Sequence, residues 1–405
     1  MSDTLTADTA VTDEQARVDD AIDRLLAEHP PASTDPTTFW GAQFDAGLAW
    51  VQFPTGRGGL GVNPRWQSHV NRRIVDAGGD VSNRRKNVLG IGMGAPVLMT
   101  HGTEAHQDRW LRPMFTMEEI WCQLFSEPGA GSDLAGLAAT AVQDGDTWVI
   151  NGQKVWTTLA HLSKWGMLVA RTDPDLPKHA GLTYFIVDME APGVDVRPLY
   201  QITGEAEFNE VYFDDVHVPD EHRMGEVGEG WAVAMTTLMN ERVAIGSNIP
   251  PRGDGVIHQA VQAWRASGSD DPATRDRLVR YWIEAEAMRL TTIRANENRR
   301  AGNPGPEGST GKLHWADLNK AVSSFAMSLL GPEGMLYPEG YEFTRPDVTG
   351  NQTESLHKLY LRARANSIEG GTSEIMKNIL GERVLGLPGE PRVDKNVPWK
   401  DVPRS

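Results

Sequence analysis

Apolar positions follow a helical period in the first third of the chain. From residue 13 to about residue 117, apolar side chains recur every three or four positions, the pattern of helices with one buried face. The clearest series are Ala16, Val18, Ile22, Leu25 and Leu26, followed by Trp40, Phe44 and Leu48. Residues 1–12 are polar and acidic without such a period. We therefore predict a disordered tail over residues 1–12 and a helical domain over residues 13–120.

The period changes to two after residue 120. Short runs of β-branched and aromatic residues follow one another between residues 121 and 224, which predicts a compact β domain over this range. Two dipeptides, Asp144-Gly145 and Asn151-Gly152, each lie between alternating apolar runs, which is typical of a β-hairpin. We expect a hairpin turn at each of them.

Helical spacing returns at residue 225 and continues to residue 405. Stretches rich in glycine and proline interrupt it at residues 301–311 and 331–350 and predict loops between helices. The whole pattern indicates an α+β multidomain protein in which a helical domain over residues 225–405 follows the β domain.

Composition narrows the class of protein. The 405 residues include 39 Lys and Arg against 55 Asp and Glu, a formal net charge of −16. With no basic run, this charge argues against nucleic acid or an anionic membrane surface as a partner. The single cysteine, Cys122, rules out an internal disulfide framework and suits a reducing compartment. The N-terminal residues lack the apolar run of a secretory signal, and no stretch approaches membrane-spanning length, so we expect a cytoplasmic protein.

Two short motifs in the predicted β domain carry candidate chemistry. Residues 126–133 read Ser-Glu-Pro-Gly-Ala-Gly-Ser-Asp, a loop whose glycines let backbone N–H groups approach a ligand closely. Residues 151–158 read Asn-Gly-Gln-Lys-Val-Trp-Thr-Thr, and in a strand Trp156 and Thr158 point to the same face. A flat heteroaromatic ring could stack on the indole and hydrogen-bond to the hydroxyl. Either motif alone is more often a turn followed by a strand with a buried tryptophan, but together they indicate half of a flavin pocket.

In their order, spacing and β-rich setting, these motifs resemble those of the acyl-CoA dehydrogenase family, and the resemblance extends over residues 39–388. It implies an N-terminal α-helical domain, a middle β-barrel or sandwich domain and a C-terminal four-helix bundle, with FAD between the last two. It also implies a reaction of lipid degradation. One carboxylate takes a proton from Cα of an acyl-CoA thioester, and flavin N5 takes a hydride from Cβ.

The resemblance assigns site residues position by position. It implies flavin contacts from Gln123, Phe125, Ser126, Gly131, Ser132, Trp156, Thr158, Thr372 and Glu374, and acyl-CoA contacts from Ser132, Asn240, Arg242, Gly370 and Gly371. Thr158 matches the partner near flavin N5. The helix that starts near Thr372 would offer free N–H groups to an FAD phosphate. The backbone N–H of Gly370 would polarise the thioester carbonyl. No metal site is implied.

The family places its catalytic carboxylate at either of two positions. The commoner one, just before a Gly-Thr pair near the C-terminus, is Gly370 in this chain, which has no side chain to act as a base. Glu369 lies one residue too early, and moving it into place would require a backbone shift. The second position, used by the isovaleryl and long-chain branches, matches Glu241, which Arg242 follows.

Helical spacing supports Glu241 independently of the resemblance. Ala234, Leu238, Glu241 and Ile245 lie four, three and four positions apart, so the carboxylate falls within an apolar stripe. Burial disfavours the charged form of a carboxylate and raises its pKa, which suits a general base for a weakly acidic Cα proton. The alternative is a structural ion pair inside the bundle, the commoner role of a buried glutamate in a protein without a flavin loop.

One segment departs from the family pattern and bears on assembly. Homotetrameric members carry a Gln-x-x-Gly-Gly-x-Gly type stretch that contacts the FAD of a neighbouring subunit, whereas residues 329–335 here read Leu-Leu-Gly-Pro-Glu-Gly-Met. An Arg-x-x-Phe-Gly partner segment is also not evident. The chain therefore either forms a homotetramer through different residues or pairs with a related chain in an α₂β₂ heterotetramer. By resemblance, an electron-transfer flavoprotein is the expected electron acceptor.

Two other functions remain open. A flavin monooxygenase or nitroalkane-oxidising relative would share the fold, but such relatives generally lack or replace the glutamate at both base positions, so Glu241 counts against this interpretation. A non-enzymatic subunit that completes a partner's site is favoured by the altered residues 329–335, but it gives no reason for a glutamate on the apolar stripe. Because a base at Glu241 frees space near Gly370, we expect a branched, cyclic or otherwise bulky acyl group.

Overall fold

A computed structural model of the chain describes residues 2–246, 249–300, 305–338, 340, 342–346 and 355–403. Within these ranges, the side chains of residues 2–12, 241–246, 299–300 and 307 lie outside the description. A helical part, a sheet and a second helical part follow one another along the chain. Among the described residues, no helix is both long enough and apolar enough to cross a membrane.

The N-terminal part is helical, as the apolar spacing predicted. Its helices are α1 (Ser2–Glu28), α2 (Pro36–Asp45), α3 (Gln67–Asp76), α4 (Asn83–Lys86), α5 (Ala95–His101) and α6 (Glu104–Phe115). The first helix begins at Ser2, inside the segment 1–12 for which the sequence predicted a disordered tail. Ile22, Leu48 and Trp110 are almost completely buried where the apolar faces of these helices meet.

The middle of the chain folds into a mixed sheet. Its strands are β1 (Trp121–Leu124), β2 (Thr140–Asp144), β3 (Thr147–Thr158), β4 (Trp165–Arg171), β5 (Leu182–Asp188), β6 (Val194–Leu199), β7 (Phe208–Pro219) and β8 (Arg223–Met224). The order across the sheet is β6-β7-β3-β2-β4-β5-β8, and β1 pairs in parallel with β4. These strands lie between the predicted domain boundaries at residues 120 and 224, although the division into domains stays a prediction.

The central strand β4 is buried on both faces because two cores meet there. Met167 and Val169 join the core that the sheet shares with the N-terminal helices. Leu168 and Ala170, which point the opposite way, join a second core inside the β domain. A continuous apolar run, rather than an alternating one, is the sequence signature of such a strand.

The two predicted hairpin turns have different outcomes. Asp144 ends β2 and pairs with Thr147, and Gly145, at a φ of 63°, and Asp146 form the turn to β3, so the hairpin predicted at Asp144-Gly145 is confirmed. The prediction at Asn151-Gly152 is wrong, because both residues lie inside β3. The register of β3 against β7 shifts between Ile150 and Gly152, which makes the dipeptide part of a β-bulge. A bulge and a turn both favour a glycine that reaches positive φ, so the local sequence does not separate them.

The chain is helical again after β8. The helices are α7 (Gly230–Gly246), α8 (Val256–Ser267), α9 (Pro272–Arg300), α10 (Glu307–Leu329), α11 (Leu356–Arg362) and α12 (Ser373–Ile379). Ile257, Leu278 and Phe325 are buried in a core shared by α8, α9 and α10. The helix α7 packs against β5, α5 and α10. Because α7 carries Glu241, the backbone of the predicted base lies where the three parts of the chain meet.

Candidate functional site

The glycine-rich loop that follows β1 is fixed at its base and open on its outer side. Glu127 and Ala130 exchange two backbone hydrogen bonds of 3.0 Å, which close a tight turn. Gly129, Gly131 and Ser132 are exposed, and a Cβ placed at either glycine would meet no atom within 4 Å. The loop therefore offers its backbone and the Ser132 hydroxyl to a ligand without rearranging its anchor.

A buried ion pair joins the two sequence motifs. Lys154 Nζ donates to Glu127 Oε1 over 2.8 Å and to the carbonyl of Phe125 over 3.1 Å. The carboxylate of Glu127 also accepts the backbone N–H groups of Ala138 (2.6 Å) and Ala139 (2.9 Å). Burial lowers the pKa of Lys154, and attraction to the Glu127 carboxylate partly offsets this. Sequence reasoning missed this pair; the available signal was opposite charge in the two motifs, with Glu127 and Asp133 in the first and Lys154 in the second.

Trp156 lies in a second bulge of β3. The register against β7 shifts between Lys154 and Thr157, and Trp156 has a left-handed backbone with a φ of 61°. Its indole is 57% exposed and meets the ring of Phe208 edge-on, with 5.7 Å between ring centroids. Thr157 is buried and Thr158 half-buried, the alternation expected if Trp156 and Thr158 share a face. A large aromatic ring held open at a strained position is a surface that a planar ligand can cover.

These features fit a flavin at the predicted place. The N–H of Val155 donates to the carbonyl of Ser126 over 2.8 Å, which holds the glycine-rich loop against β3 next to Trp156. The exposed indole supplies a stacking surface. The hydroxyls of Ser126, Ser132 and Thr158 can each donate and accept hydrogen bonds, as the polar edge of a flavin requires.

Two other predicted flavin residues are placed differently. Gln123 is half-buried in β1. Phe125 is 4% exposed, and its ring packs edge-on against Tyr184 with 6.0 Å between centroids. The ring of Phe125 thus belongs to the core, so a contact of this residue with a cofactor would have to come from its backbone.

The predicted base and its neighbour lie on α7. The side chains of Glu241, Arg242 and Ile245 lie outside the described residues, so their roles stay predictions. Earlier on the same helix, Ala234 is completely buried and Leu238 packs half-buried against the core. The part of the apolar stripe that the structure describes therefore faces inward, as the helical spacing predicted.

Hydroxyl contacts hold α7 in position on two sides. Thr237 is completely buried and lies 3.1 Å from the hydroxyl of Tyr184 on β5. The hydroxyl of Thr236 lies 2.8 Å from Nε2 of His101 at the end of α5. Burial lowers the pKa of His101 below its usual value, which favours the neutral ring beside this hydroxyl. The predicted substrate residue Asn240 is half-buried, and its amide donates to the carbonyl of Thr236 over 2.8 Å.

A second loop, just before α12, contains Gly370 and Gly371. Their φ values of 63° and 94° lie in the region that favours glycine. Lys312 Nζ, from α10, donates to the carbonyl of Gly371 over 2.6 Å and to that of Asn366 over 2.9 Å. In the part of the chain that the structure describes, no acceptor takes the N–H of Gly370. This exposed, fixed N–H suits the predicted contact with a thioester oxygen.

Glu369 is fully engaged in holding this loop. One carboxylate oxygen accepts from Arg362 Nη2 over 2.7 Å, and the other accepts from Asn366 Nδ2 over 2.8 Å. Both oxygens therefore accept from donors of α11 and of the turn that follows it. This arrangement favours an anchoring role for Glu369 and argues against its serving as the base.

A chain of side-chain contacts connects the two candidate loops. The ring of Phe208 touches Trp156 on one side, and the guanidinium of Arg362 lies 5.7 Å from its centroid on another. Arg362 in turn binds Glu369, which directly precedes Gly370. The stacking surface and the free N–H thus belong to one connected site. Sequence reasoning missed Phe208 and Arg362, because no local pattern links positions so far apart.

Two glutamates just before β7 extend this charged network. Glu205 forms a buried ion pair with Lys358 of α11, with 2.6 Å between Oε1 and Nζ. Glu207 lies 3.5 Å from Nε of Arg362. Burial raises the pKa of Glu207, and attraction to Arg362 opposes the shift without cancelling it. The β domain and the C-terminal helices are therefore joined by paired charges beside the candidate site.

The start of α12 agrees with the prediction for this helix. Oγ1 of Thr372 accepts the N–H of Ile375 over 3.1 Å, which caps the helix. Glu374 is exposed. Ser373 is 7% exposed, and its hydroxyl has no hydrogen-bond partner among the described residues. A buried hydroxyl without a partner suits a polar group of a cofactor at this position.

A cavity of about 250 Å³ adjoins the second loop. Val256, Trp315 and Leu359 form its apolar side, and Asn319 and Glu369 line its polar side. A larger cleft of about 620 Å³ lies elsewhere, between residues 117–120 and 160–164, and contains none of the predicted site residues. The smaller cavity also contains none of the residues predicted to bind cofactor or substrate, but Arg362 and Glu369 in its wall connect it to the candidate site.

Comparison with family models matches two stretches of the chain. Residues 122–216 match the model described as acyl-CoA dehydrogenase, middle domain. Residues 228–385 match the model described as acyl-CoA dehydrogenase, C-terminal domain. Together these matches cover more than half of the chain.

Individual proteins are similar over most of the sequence. Acyl-CoA dehydrogenase IpdE1 of Mycobacterium tuberculosis is 41% identical over 353 residues, which are 85% of this chain and 86% of the relative. Acyl-CoA dehydrogenase FadE34 of the same organism is 38% identical over 348 residues, which are 85% of this chain and 45% of the relative. Among solved structures, the ChsE4–ChsE5 complex from Mycobacterium tuberculosis shares the fold with a TM-score of 0.68 at 24% identity, covering 93% of this chain and 98% of the matched one.

Proposed function

The chain belongs to the acyl-CoA dehydrogenase family, whose members are FAD-dependent oxidoreductases, and from this premise we propose that it desaturates an acyl-CoA thioester between Cα and Cβ with Glu241 as the base. The observation that carries the proposal is the connected site. Exposed Trp156 is linked through Phe208 and Arg362 to the loop that presents the N–H of Gly370. When FAD is bound, it supplies the acceptor for the hydride that leaves Cβ.

Each part of the site has a role in this proposal. Trp156 and Thr158 orient the ring system, one by stacking and the other by a hydrogen bond. Glu241 takes the proton from Cα. Negative charge then develops on the thioester oxygen, which the N–H of Gly370 stabilises from a fixed position. Lys312 keeps that N–H in place by binding the carbonyls on either side of the loop.

Substitution of two glutamates tests the base. We expect acyl-CoA, added without oxygen, to bleach the yellow wild-type protein. Glu241→Gln should bind the same thioester and bleach at least about 100-fold more slowly, the usual contribution of a general base. The matched control is Glu369→Gln. Its rate of bleaching should stay within about tenfold of the wild-type rate, because Glu369 anchors the loop through hydrogen bonds and takes no proton from the substrate.

The opposite ranking of the two variants would move the base to Glu369. A yellow wild type that no acyl-CoA bleaches would contradict the dehydrogenase function itself. A colourless wild type that turns yellow and active only with a related chain would favour the heteromeric assembly over the homotetramer.

The acyl group in this proposal is branched, cyclic or otherwise bulky. The cavity of about 250 Å³ supports this, since Glu369, the residue directly before Gly370, forms part of its wall. A panel of acyl-CoAs of equal carbon number, straight and ring-bearing, compares kcat/KM directly. Much faster turnover of short straight-chain thioesters would refute this part of the proposal.

Assembly and electron transfer complete the proposal. We expect a homotetramer or an α₂β₂ heterotetramer with a related chain, and an electron-transfer flavoprotein as acceptor. The segment Gly331–Met335, which replaces the cross-subunit motif of homotetrameric members, ends with Met335 81% exposed. The adjacent Leu336 is 66% exposed as well, and two neighbouring apolar side chains so exposed support a contact with another subunit at this end of α10. Light scattering of the purified chain, alone and with the related chain, measures the assembly.

A further inference from the structure

The C-terminal tail docks on the β domain beyond the region that the family models match. The C-terminal-domain match ends at residue 385, and the tail continues to the loop between β4 and β5. There the N–H of Trp399 donates to the carbonyl of Leu176 over 2.9 Å, and the N–H of Lys400 donates to that of Pro174 over 3.0 Å. Regular backbone pairing of this kind gives the tail one defined position on the domain.

Trp399 covers Arg171, whose side chain holds the residues that follow the glycine-rich loop. Its indole lies over the guanidinium of Arg171 at 4.2 Å, and its Nε1 donates to the carbonyl of Gly136 over 3.2 Å. Arg171 is 2% exposed and donates to the carbonyls of Ala135 (2.6 Å) and Leu137 (3.1 Å). Residues 135–137, which follow the glycine-rich loop, are therefore fixed by Arg171 and covered by the tail.

A second contact reaches the other end of this segment. Lys178 Nζ binds Asp394 of the tail over 2.5 Å and Asp133 of the loop over 2.8 Å. Burial lowers the pKa of Lys178, but the hydrogen bonds to both carboxylates outweigh that effect and raise it. Asp133 directly follows Ser132, so both tail contacts hold the chain immediately after the ligand-facing residues of the loop.

We propose that residues 390–403 form a clasp that holds the glycine-rich loop in the conformation that receives FAD, with Trp399 and Asp394 as positioning residues. The inference rests on the flavin site proposed above. Gly129 and Gly131 give the loop freedom that must be lost on binding, and a loop ordered beforehand binds more tightly. Because coupling between two binding events is reciprocal, bound FAD in turn holds the clasp in place.

Hydrogen–deuterium exchange tests the clasp without reference to activity. In Trp399→Ala and in Asp394→Asn, the amides of residues 129–137 should exchange faster than in wild type, while those of α9 stay unchanged. Val393→Ala is the matched control, since Val393 lies in the same segment and is 89% exposed. Trp399→Phe keeps a ring over Arg171 and should fall between wild type and Trp399→Ala. Unchanged exchange in all variants would overturn the clasp.

FAD affinity tests the consequence of the clasp for cofactor binding. We expect Trp399→Ala to raise the dissociation constant for FAD about tenfold, which corresponds to one lost cation–π contact with its hydrogen bond. In wild type, FAD should also slow tryptic cleavage after Lys395 and Lys400. Equal FAD affinity in wild type and Trp399→Ala would overturn the link to the cofactor. A wild type that takes up no FAD would refute the proposed site, and the exchange measurement would still decide the clasp.

Discussion

At the scale of single residues, the candidate site depends on charges that are buried or half-buried and paired. Lys154, Lys312 and Arg362 each donate hydrogen bonds to backbone carbonyls or carboxylates that shape a loop. A buried cation without such partners would be costly, so each of these side chains fixes the position of the groups around it. The loops of the site are therefore rigid where they must present a backbone donor.

Lys312 offers a test of this principle. Lys312→Met removes the bridge between the carbonyls of Asn366 and Gly371, and the N–H of Gly370 then loses its fixed direction. We expect kcat/KM for the best acyl-CoA to fall about tenfold, the equivalent of one hydrogen bond to a developing charge. Lys312→Arg, which keeps the charge and the donors, should restore part of the activity. Equal activity of the two variants would show that the bridge does not position the loop.

Glu207 gives a prediction that depends on pH. Burial raises its pKa above the usual value, so the folded protein favours the protonated form. The stability that this group contributes is complete below its ordinary pKa of 4.5 and is lost as pH rises through the raised value. Glu207→Gln, which resembles the protonated form, should therefore match wild type near pH 4.5 and be more stable at pH 7.5.

Urea unfolding of both proteins across this range measures the difference. Glu284→Gln, at an exposed glutamate of α9, controls for the loss of one negative charge. A constant difference between wild type and Glu207→Gln at every pH would show that Glu207 ionises equally easily in the folded and unfolded chain.

The sequence pointed to candidate residues of this site but not to the side chains that hold them in place. Trp156 and the Gly370-Gly371 pair could be found because each stands in a local motif of fixed spacing. The ion pair between Glu127 and Lys154 could not be predicted, since it depends on how two segments meet in space. The same holds for Arg362, whose partners Glu207 and Glu369 lie just before β7 and in the loop before α12.

At the scale of elements, β3 shows where local patterns are ambiguous. The strand contains two bulges, and the sequence suggested a turn at the first and a regular strand at the second. Helices were predicted more reliably, because their apolar period extends over many residues, whereas a bulge is decided by one or two positions and by the neighbouring strand. The irregular second bulge is the feature that exposes Trp156.

Gly152 tests the first bulge. Its φ is 145°, and a Cβ there would lie 2.7 Å from Cα of Ala139, so the backbone of a neighbouring segment would have to move. We expect Gly152→Ala to lower the free energy of unfolding by about 2–3 kcal/mol. Gly145→Ala is the control, because Gly145 also has positive φ but open space around it, and should cost about 1 kcal/mol. Equal costs in denaturant unfolding would mean that the close approach to Ala139 does not matter.

At the scale of the whole molecule, the candidate site is formed by parts of the chain that are far apart in the sequence. Helical and strand periods predicted the succession of a helical part, a sheet and a second helical part. The periods could not predict that α7 would contact α5 of the first helical part, β5 of the sheet and α10 of the second helical part. Nor could they predict that Glu205 would pair with Lys358, which lies 153 positions later in the sequence. Long-range pairs of this kind produce no repeating pattern in the sequence, since each consists of one charged residue in each of two segments.

The pair of Glu205 and Lys358 gives the last prediction, which concerns how the β domain and the C-terminal helices are held together. Both side chains are about one-tenth exposed, so Lys358→Met leaves a carboxylate buried without its partner. We expect a loss of about 3 kcal/mol in the free energy of unfolding. Lys320→Met removes an exposed pair with Asp317 on α10 and should cost less than about 1 kcal/mol.

The double variant Lys358→Met/Glu205→Gln separates the cost of a stranded charge from the value of the pair. Removing both charges should recover more than half of the loss, because the penalty comes mainly from the unpaired carboxylate. Since Lys358 and Arg362 lie one turn apart on α11, the single variant should also weaken FAD binding while the double variant restores it. If the losses of Lys358→Met and of Glu205→Gln, measured separately, add up to that of the double variant, the two charges act independently, and the contact between the β domain and α11 depends on packing instead.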